Sequence, residues 1–301
     1  MYRAQIYRSF SHRARALPAL LLVTLSGAAG GCTDAPAPTL GESTEAEGDA
    51  EGDAEEDTGA PPETEAKILS AFHGLDALPM AANLLCGSPV AGDDGMPVVF
   101  SVRLDGETVT PQAFAVETAA GEKVTPSCAT LNPANEVLER RTVLLTGSFG
   151  TPEASPRSVE VVGELADLAG NSLLGVVSDS IVPLEAGPSL VLAESYAPDT
   201  NGLAGECPAE TQQVVQLTWD GGVSGPQGAV LGEPQRTGIT VELEDGQTVT
   251  PLALADDDPD NHVHACLDAA SPATRVTVQA GLFHDPGDDA NPATSIEVVA
   301  G

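Results

Sequence analysis

Basic and aromatic side chains are scarce in this sequence. Its 301 residues contain 12 Lys and Arg against 45 Asp and Glu, for a formal net charge of −33, and only one Trp, three Tyr and six Phe. Such a chain repels polyanions, which excludes nucleic-acid binding. Few rings remain for the exposed stacking platforms of a carbohydrate module. Hydrophobic residues still make up 42% of the chain, which is enough to build a core and argues against disorder throughout.

Catalytic motifs are also missing. The sequence has no Gly-x-Ser-x-Gly elbow, no His-Glu-x-x-His pair and no phosphate-binding loop. We therefore predict that the protein is not an enzyme. No cofactor is expected apart from the metal ion considered below.

The first 31 residues have the layout of a secretory signal. Residues 1–15 are basic, an apolar run follows at 16–25, and small residues lead to Cys32. The apolar run is shorter than the ~20 residues that span a bilayer. The sequence therefore predicts export.

The cysteine at the end of this leader sharpens the prediction. Ala29-Gly-Gly-Cys32 resembles the lipobox of bacterial lipoproteins, with Ala29 where leucine is usual. The resemblance implies that residues 1–31 are a lipoprotein signal peptide, that Cys32 is lipidated, and that the protein is anchored in the cell envelope. Thr33 after the cysteine favours the outer membrane. The alternative is an ordinary cleaved signal with a chance cysteine.

An acidic segment separates this cysteine from the rest of the chain. Residues 33–66 contain twelve acidic residues, four prolines and no basic residue before Lys67. Such a composition has little to bury and keeps the chain extended. We predict that residues 32–66 form a disordered tether.

Beyond the tether the sequence repeats itself. Residues 114–126 (FAVETAAGEKVTP) and 239–251 (ITVELEDGQTVTP) share six identities in thirteen ungapped positions. Two further blocks align in the same order: residues 141–152 with 275–286, and residues 158–162 with 295–299. Three such blocks indicate two copies of one domain, which we place at 67–186 and 187–301.

Short alternating runs dominate both copies. Residues 98–104 and 214–219 are examples, and Gly, Pro, Asn or Asp close most such runs. Period-two patterning at this spacing, without a long helical stripe, is typical of antiparallel sandwiches. The predicted fold class is all-β, with two tandem sandwiches after the acidic tether.

The first copy also resembles a known family. Residues 97–104 (PVVFSVRL), 114–117 (FAVE) and 167–171 (DLAGN) are similar to the bacterial Ig-like domains of S-layer and other surface proteins. The resemblance implies that each copy is an Ig-like sandwich and that the turn at 167–171 precedes its last strand. In our alignment Gly301 lies opposite Gly163, so the second copy is expected to lack this turn and strand. It would then close with fewer strands or expose a sheet edge to a partner.

Four cysteines remain after Cys32, two in each copy. Cys86 and Cys207 each precede a Val-rich strand, and Cys128 and Cys266 each follow a Val-Thr-Pro element. An even count repeated by domain in an exported protein predicts two disulfides, Cys86–Cys128 and Cys207–Cys266. Metal binding by these thiols is the alternative, although no two are spaced as in a zinc knuckle.

One cluster of side chains has ligand chemistry. Two loops of the second copy contain the candidate metal ligands Asp256, Asp257, Asp258, Asp260, His262, His264, His284 and Asp285. Carboxylate oxygens suit Ca²⁺, and the histidines suit Zn²⁺ or Cu²⁺ if the two loops meet at one end of the sandwich. The alternative is a solvated acidic surface, because the whole chain is acidic.

Two functional hypotheses follow. The leading one is a non-catalytic, lipid-anchored envelope protein whose Ig-like domains act as spacer, adhesion or assembly modules. Its partners would be the membrane, through the lipid anchor, and a protein at the cell surface. The second is a surface module that binds calcium or a transition metal through the acidic and His loops.

Overall fold

Strands carry the fold of the described chain. The structure is a computed structural model that describes residues 66–203, 207–255 and 260–301. The all-β prediction is confirmed, because the two α-helices are only four and five residues long. None of the helices described there is long and apolar enough to cross a membrane. The predicted signal peptide, Cys32 and nearly all of the predicted tether lie outside the described residues.

Eight strands form a first pair of sheets, called here the first sandwich. They are β1 (Ile68–Ala71), β2 (Asp94–Phe100), β3 (Phe114–Glu117), β4 (Lys123–Val124), β5 (Cys128–Thr130), β6 (Thr142–Gly147), β7 (Ser158–Val161) and β8 (Val177–Ser178). One sheet has the order β1-β2-β6-β5 and the other β4-β3-β7-β8. The helix α1 (Asn83–Cys86) and short 3-10 turns at Met80–Ala82, Gly106–Thr108 and Pro111–Ala113 connect them.

Nine strands form a second pair of sheets, the second sandwich. They are β9 (Leu190–Tyr196), β10 (Gln213–Trp219), β11 (Ile239–Leu243), β12 (Thr248–Val249), β13 (Ala253–Ala255), β14 (His262–Leu267), β15 (Ala273–Val278), β16 (Thr294–Glu297) and β17 (Val299–Ala300). The sheet orders are β13-β14-β10-β9-β17 and β12-β11-β15-β16. A 3-10 turn at Pro226–Gly228 and α2 (Glu233–Thr237) precede β11.

Alternation along the strands places one apolar core between each pair of sheets. In β3, Phe114 and Val116 are buried whereas the residues between and after them are half-buried. In the first core the ring centres of Phe114 and Phe100 are 6.5 Å apart, and in the second core those of Trp219 and Phe283 are 4.6 Å apart. Rings at these separations add to the burial free energy. The predicted boundary between the copies stays a prediction.

The two sandwiches have the same strand order. In the second sandwich β9-β10-β14-β13 repeats β1-β2-β6-β5, and β12-β11-β15-β16 repeats β4-β3-β7-β8. The alignment of residues 114–126 with 239–251 matches this correspondence, since β3 and β4 correspond to β11 and β12. The internal duplication is therefore visible in the topology as well as in the sequence.

The alignment of the other two sequence blocks is wrong. Residues 141–152 contain β6, whose counterpart is β14 and not β15, and residues 158–162 contain β7, whose counterpart is β15 and not β16. The connection from β6 to β7 has ten residues, whereas the one from β14 to β15 has five. Because alternating strands look alike, the sequence alignment slipped by one strand at this length difference.

The second copy is consequently not truncated. The connections from β7 to β8 and from β15 to β16 both have fifteen residues. In the first, the Asp167 amide donates to the Asn171 carbonyl, and in the second the Asp285 amide donates to the Asp289 carbonyl. Asp288, with φ 69°, takes the left-handed position that Gly170 takes with φ 85°. The turn at 167–171 therefore has its counterpart at 285–289.

The last strand also has a counterpart. β17 pairs in parallel with β9, as Val182 bridges in parallel to Phe72 at the end of β1. The prediction that the second copy lacks a last strand is therefore wrong. The prediction of a sheet edge exposed by that loss is wrong for the same reason.

Both predicted disulfides are present, Cys86–Cys128 and Cys207–Cys266. Their places in the two sandwiches differ by one strand. Cys128 lies on β5 opposite Thr146 of β6, whereas Cys266 lies on β14, the counterpart of β6, opposite Ala253. The prediction that Cys128 and Cys266 occupy matching positions is therefore wrong. The two disulfides close loops of 42 and 59 residues. In the chain-entropy account, each disulfide raises the free energy of unfolding by roughly 3–4 kcal/mol.

Candidate functional site

A row of polar side chains crosses the β13-β14-β10-β9-β17 sheet of the second sandwich. Glu194 of β9 lies opposite Gln216 of β10, which lies opposite His264 of β14. In the next row Thr218 lies opposite His262. These five residues share the face that points away from the apolar core, because directly opposite residues in a sheet lie on one face. We call this face the polar face.

The polar face is buried instead of solvated. Gln216 and Thr218 are fully buried, His262 and His264 are 1% exposed, and Glu194 is 4% exposed. Polar outer faces of antiparallel sheets ordinarily meet water. Here side chains of the first sandwich reach it, and the described residues all belong to one compact unit.

A buried ion pair joins the two sandwiches across this face. The Arg141 guanidinium donates through both Nε and Nη2 to the two carboxylate oxygens of Glu194, with Nε 3.0 Å from Oε2. Its Nη1 donates to the Ser101 carbonyl at 2.7 Å. Both side chains of the pair are less than about a tenth exposed. A planar fork on a carboxylate fixes distance and angle together.

Two further contacts cross the same boundary. The Asn261 side-chain amide donates to Thr142 Oγ1 at 2.9 Å and to the Trp219 carbonyl at 2.7 Å. The buried Phe72 ring lies so close to Gly221 that a Cβ built there would stand 2.6 Å from Phe72 Cδ1. Glycine is therefore required at 221 by close approach.

A further pair closes the edge of the face. Arg103 Nη2 donates to the Tyr196 hydroxyl at 3.0 Å, and the Arg103 guanidinium carbon stands 5.9 Å from the centre of the Tyr196 ring. Burial raises the pKa of Tyr196 above its ordinary value. The tyrosine is therefore neutral and able to accept this bond.

Three of the buried groups are close enough to share a metal ion. A donor atom each from Glu139, Asp260 and His262 lie within 4.8 Å of one another, and all three residues are at most 3% exposed. Asp260 Oδ1 accepts from the His262 backbone amide at 2.7 Å. Asp260 Oδ2 stands 3.9 Å from His262 Nδ1. Glu139 belongs to the first sandwich and the other two to the second.

Polar neighbours surround the Glu139 carboxylate. Gln216 Nε2 donates to Glu139 Oε1 at 3.4 Å and lies 3.1 Å from His264 Nε2. His264 Nε2 is itself 3.6 Å from Glu139 Oε1. An amide nitrogen is a donor only, so His264 Nε2 acts as the acceptor in that contact.

The predicted metal ligands fall into separate places. Asp260, His262 and His264 lie on the polar face or at its border, and Asp256, Asp257 and Asp258 lie outside the described residues. Asp285 begins the 285–289 turn, and His284 directly precedes it, with its Nδ1 2.9 Å from Asp288 Oδ1. Among the described residues, the group that can share an ion does not include His284 or Asp285.

Two buried carboxyls, those of Asp220 and Asp285, influence each other at the start of that turn. Burial, with a smaller contribution from the neighbouring Asp285, raises the pKa of Asp220 to about 7. Burial likewise raises the pKa of Asp285 to about 6. The Ser189 amide donates to Asp220 Oδ1 at 2.7 Å, which partly offsets the loss of solvation. These carboxyls respond to pH near neutrality.

Two open depressions of the described surface have no residue of the polar face in their lining. One of about 750 Å³ is open to solvent and is lined by Asp105, Glu107 and Arg140 among others, with no His or Cys in its lining. The buried carboxylates and histidines of the polar face thus lie between the sandwiches and do not line either depression.

Several residues of this site escaped the sequence analysis. Glu139, Arg141, Glu194 and Gln216 look like ordinary surface polar residues in the sequence. The available signal was the alternation in QVVQLTW and HVHACL, which places Gln216, Thr218, His262 and His264 on one face. Nothing in that alternation tells what covers the face.

No protein-family model and no curated protein matches the sequence. Among solved structures, the chain is similar to the N-terminal part of the bacterial S-layer protein SbsC, at 13% identity and a TM-score of 0.27 over 77% of this chain and 44% of that one. It is also similar to surface layer protein SbsC, domains 1–6, at 15% identity and a TM-score of 0.29 over 76% and 34%. The chain thus spans less than half of either structure. TM-scores this low carry no argument about function.

Proposed function

We propose that this chain is a non-catalytic envelope protein in which two Ig-like sandwiches, held to the membrane through a lipidated Cys32, act together as one spacer or assembly module. The observation that carries the proposal is the buried Arg141–Glu194 pair between the sandwiches. A spacer has to present its far end at a fixed distance and angle. A buried, bidentate ion pair supplies such a constraint, whereas linked domains otherwise move freely by default.

The two disulfides support an exported location. Disulfides persist in oxidising compartments and are rare in the cytosol. Together with the basic leader, the apolar run and Cys32, they favour the envelope as the destination. The outer membrane as the final membrane and a partner protein at the cell surface belong to the same proposal.

The anchoring step is tested by Cys32→Ala. We expect the wild-type protein to sediment with membranes and to partition into detergent, and the variant to be released into the soluble fraction of the envelope. Cys86→Ala with Cys128→Ala, which leaves Cys32 in place, is the matched control and should stay with the membrane. Membrane association of Cys32→Ala, or a soluble wild-type protein, contradicts the anchor.

The non-catalytic role is tested on the same purified wild-type protein. We expect no turnover of ester, peptide, glycoside or phosphoester substrates. Turnover that disappears in Glu139→Gln would place an active centre at the polar face and contradict the proposal.

Metal binding is the second candidate function, favoured by the convergence of Asp260 and His262 with Glu139. The earlier form of this hypothesis used the loops of the second sandwich alone. The geometry favours a narrower form, in which one ligand comes from the first sandwich and the ion is enclosed.

A further inference from the structure

The three donors Glu139, Asp260 and His262 are better placed for a metal ion than for one another. His262 Nδ1 and Asp260 Oδ2 stand 3.9 Å apart, which is beyond the length of a hydrogen bond. Asp260 is nevertheless held in place, because its Oδ1 accepts from the His262 backbone amide at 2.7 Å. The second oxygen of this carboxylate is therefore presented to the space shared with Glu139.

Two of these three side chains, Asp260 and His262, carry polar atoms without a hydrogen-bond partner among the described residues. Among the described residues, neither ring nitrogen of His262 nor Asp260 Oδ2 has a hydrogen-bond partner. His262 is 1% and Asp260 3% exposed. Leaving buried polar atoms unbonded is costly, and a ligand that bonds to these atoms would offset that cost. A cation satisfies an imidazole nitrogen and a carboxylate oxygen at once.

Charge points the same way. Asp260 and Glu139 bring two carboxylates into one buried space, and like charges in a low-dielectric space repel. A divalent cation brings the charge of the two carboxylates and the neutral imidazole to zero.

The donor types select the class of ion. Ca²⁺ and Mg²⁺ take oxygen ligands, whereas a set of one imidazole nitrogen and two carboxylate oxygens suits Zn²⁺ and related transition metals. A tetrahedral ion with bonds near 2.1 Å holds its ligand atoms about 3.4 Å apart. The 3.9 Å between His262 Nδ1 and Asp260 Oδ2 is already close to this value.

Neighbouring polar groups complete the surroundings. Gln216 donates to Glu139 Oε1 at 3.4 Å, and His264 Nε2 stands 3.6 Å from the same oxygen. Outer groups that orient a ligand carboxylate are a regular feature of protein metal sites. His264 is also near enough to approach as a further nitrogen ligand after a small movement.

We propose that Glu139, Asp260 and His262 form a transition-metal site of the Zn²⁺ class that fastens the two sandwiches together. This goes beyond the envelope role and does not depend on the lipid anchor. Its consequence is that metal binding stabilises the contact between the sandwiches, since a ligand that binds only the folded, docked state adds to its stability.

The test uses the full-length protein without a His tag, treated with a chelator and dialysed. Zn²⁺ is titrated by calorimetry, and thermal unfolding is measured with and without Zn²⁺. We expect one Zn²⁺ per chain and a rise in Tm. Bound Co²⁺ should give the intense visible absorption of a tetrahedral site. No Zn²⁺ binding by the wild-type protein overturns the proposal, as does Ca²⁺ binding at this site in place of Zn²⁺.

Three variants assign the ligands: Glu139→Gln, Asp260→Asn and His262→Gln. Each should weaken Zn²⁺ binding at least about tenfold, the lower end of the loss for outer-shell changes alone. Asp260→Asn keeps the Oδ1 acceptor for the His262 amide and is expected to fold, so it carries the test if His262→Gln does not fold.

Two control variants lie outside the site. His284→Gln changes the histidine just before the 285–289 turn, and Glu160→Gln changes a glutamate of the first sandwich. Both should bind Zn²⁺ as the wild type does. Unchanged binding in Asp260→Asn, or loss of binding in His284→Gln, overturns the site. Unchanged binding in Glu139→Gln overturns the link between the sandwiches.

Discussion

The corresponding sheets of the two sandwiches are covered in different ways. In the first sandwich, the chain between β1 and β2 returns over the outer face of its own sheet, where Leu78 lies against Gly95 in a small apolar cluster with Ala82 and Val90. In the second sandwich, the outer face of β10 and β14 is polar and is covered by the first sandwich.

The difference teaches what each cover can do. Apolar contact is non-directional and tolerates small shifts. A buried polar face needs each partner in place, because an unpaired buried charge costs several kcal/mol. The first cover therefore stabilises one sandwich, whereas the second fixes the orientation of one sandwich relative to the other.

The largest effect is expected from Arg141→Ala. Removing the guanidinium leaves the Glu194 carboxylate buried without its counter-ion, so the free energy of unfolding should fall by about 3–5 kcal/mol. Urea denaturation measures this. Lys123→Ala, which removes an exposed pair with Glu160, is the control and should cost much less. Equal losses in the two variants would contradict the distinction between the buried and exposed pairs.

Leu78→Ala tests the apolar cover. Truncating this buried side chain should lower the free energy of unfolding by about 2–4 kcal/mol, through lost burial and a cavity. Small-angle scattering should nevertheless match the wild type, because the contact between the sandwiches is untouched. A change in scattering for Leu78→Ala without one for Arg141→Ala would reverse our assignment of roles to the two covers.

Gly221→Ala tests the closest approach across the boundary. The added Cβ would stand 2.6 Å from Phe72 Cδ1, so the ring or the backbone has to move, at a cost of roughly 1–3 kcal/mol. Gly222→Ala is the matched control, since a Cβ built at 222 would stand 3.5 Å from its nearest atom, the Asp260 carbonyl oxygen. Thermal unfolding compares the two, and a larger loss at 222 than at 221 would count against the described contact.

Asp220→Asn gives the smallest effect and the only gain. The pKa of Asp220 is raised to about 7 in the folded state from 3.8, so folding favours its protonated form. That contribution is complete at acidic pH and is lost as the pH rises through about 7, where the buried carboxylate becomes charged. Asn keeps the Oδ1 acceptor for the Ser189 amide.

The variant should therefore be more stable than the wild type at pH 8, and the difference should vanish near pH 4. Urea denaturation at the two pH values measures it. A variant that is less stable than the wild type at pH 8 would show that the charged form is not the costly one.

Sequence reasoning reached the fold class and the disulfide pairs because both depend on local signals. Alternation in segments such as FAVE predicts strands facing a core, and paired cysteines in an exported chain predict bridges. The repeat was found through 114–126 and 239–251, where β3 and β4 correspond to β11 and β12.

The remaining errors have physical causes. The alignment slipped because β14 and β15 carry similar alternation and the connection between them is short. The candidate ligands Asp260 and His262 were named from the sequence, but Glu139 was not, since it comes from the other sandwich. Contacts between residues 119 to 123 positions apart leave no local pattern.

The central claim is that the two sandwiches form one body through the buried polar face. Residual dipolar couplings of the backbone amides in the full-length protein test it most directly. We predict that one alignment tensor fits the amides of β1–β8 and β9–β16 together. Two different tensors, one for each sandwich, would contradict the claim.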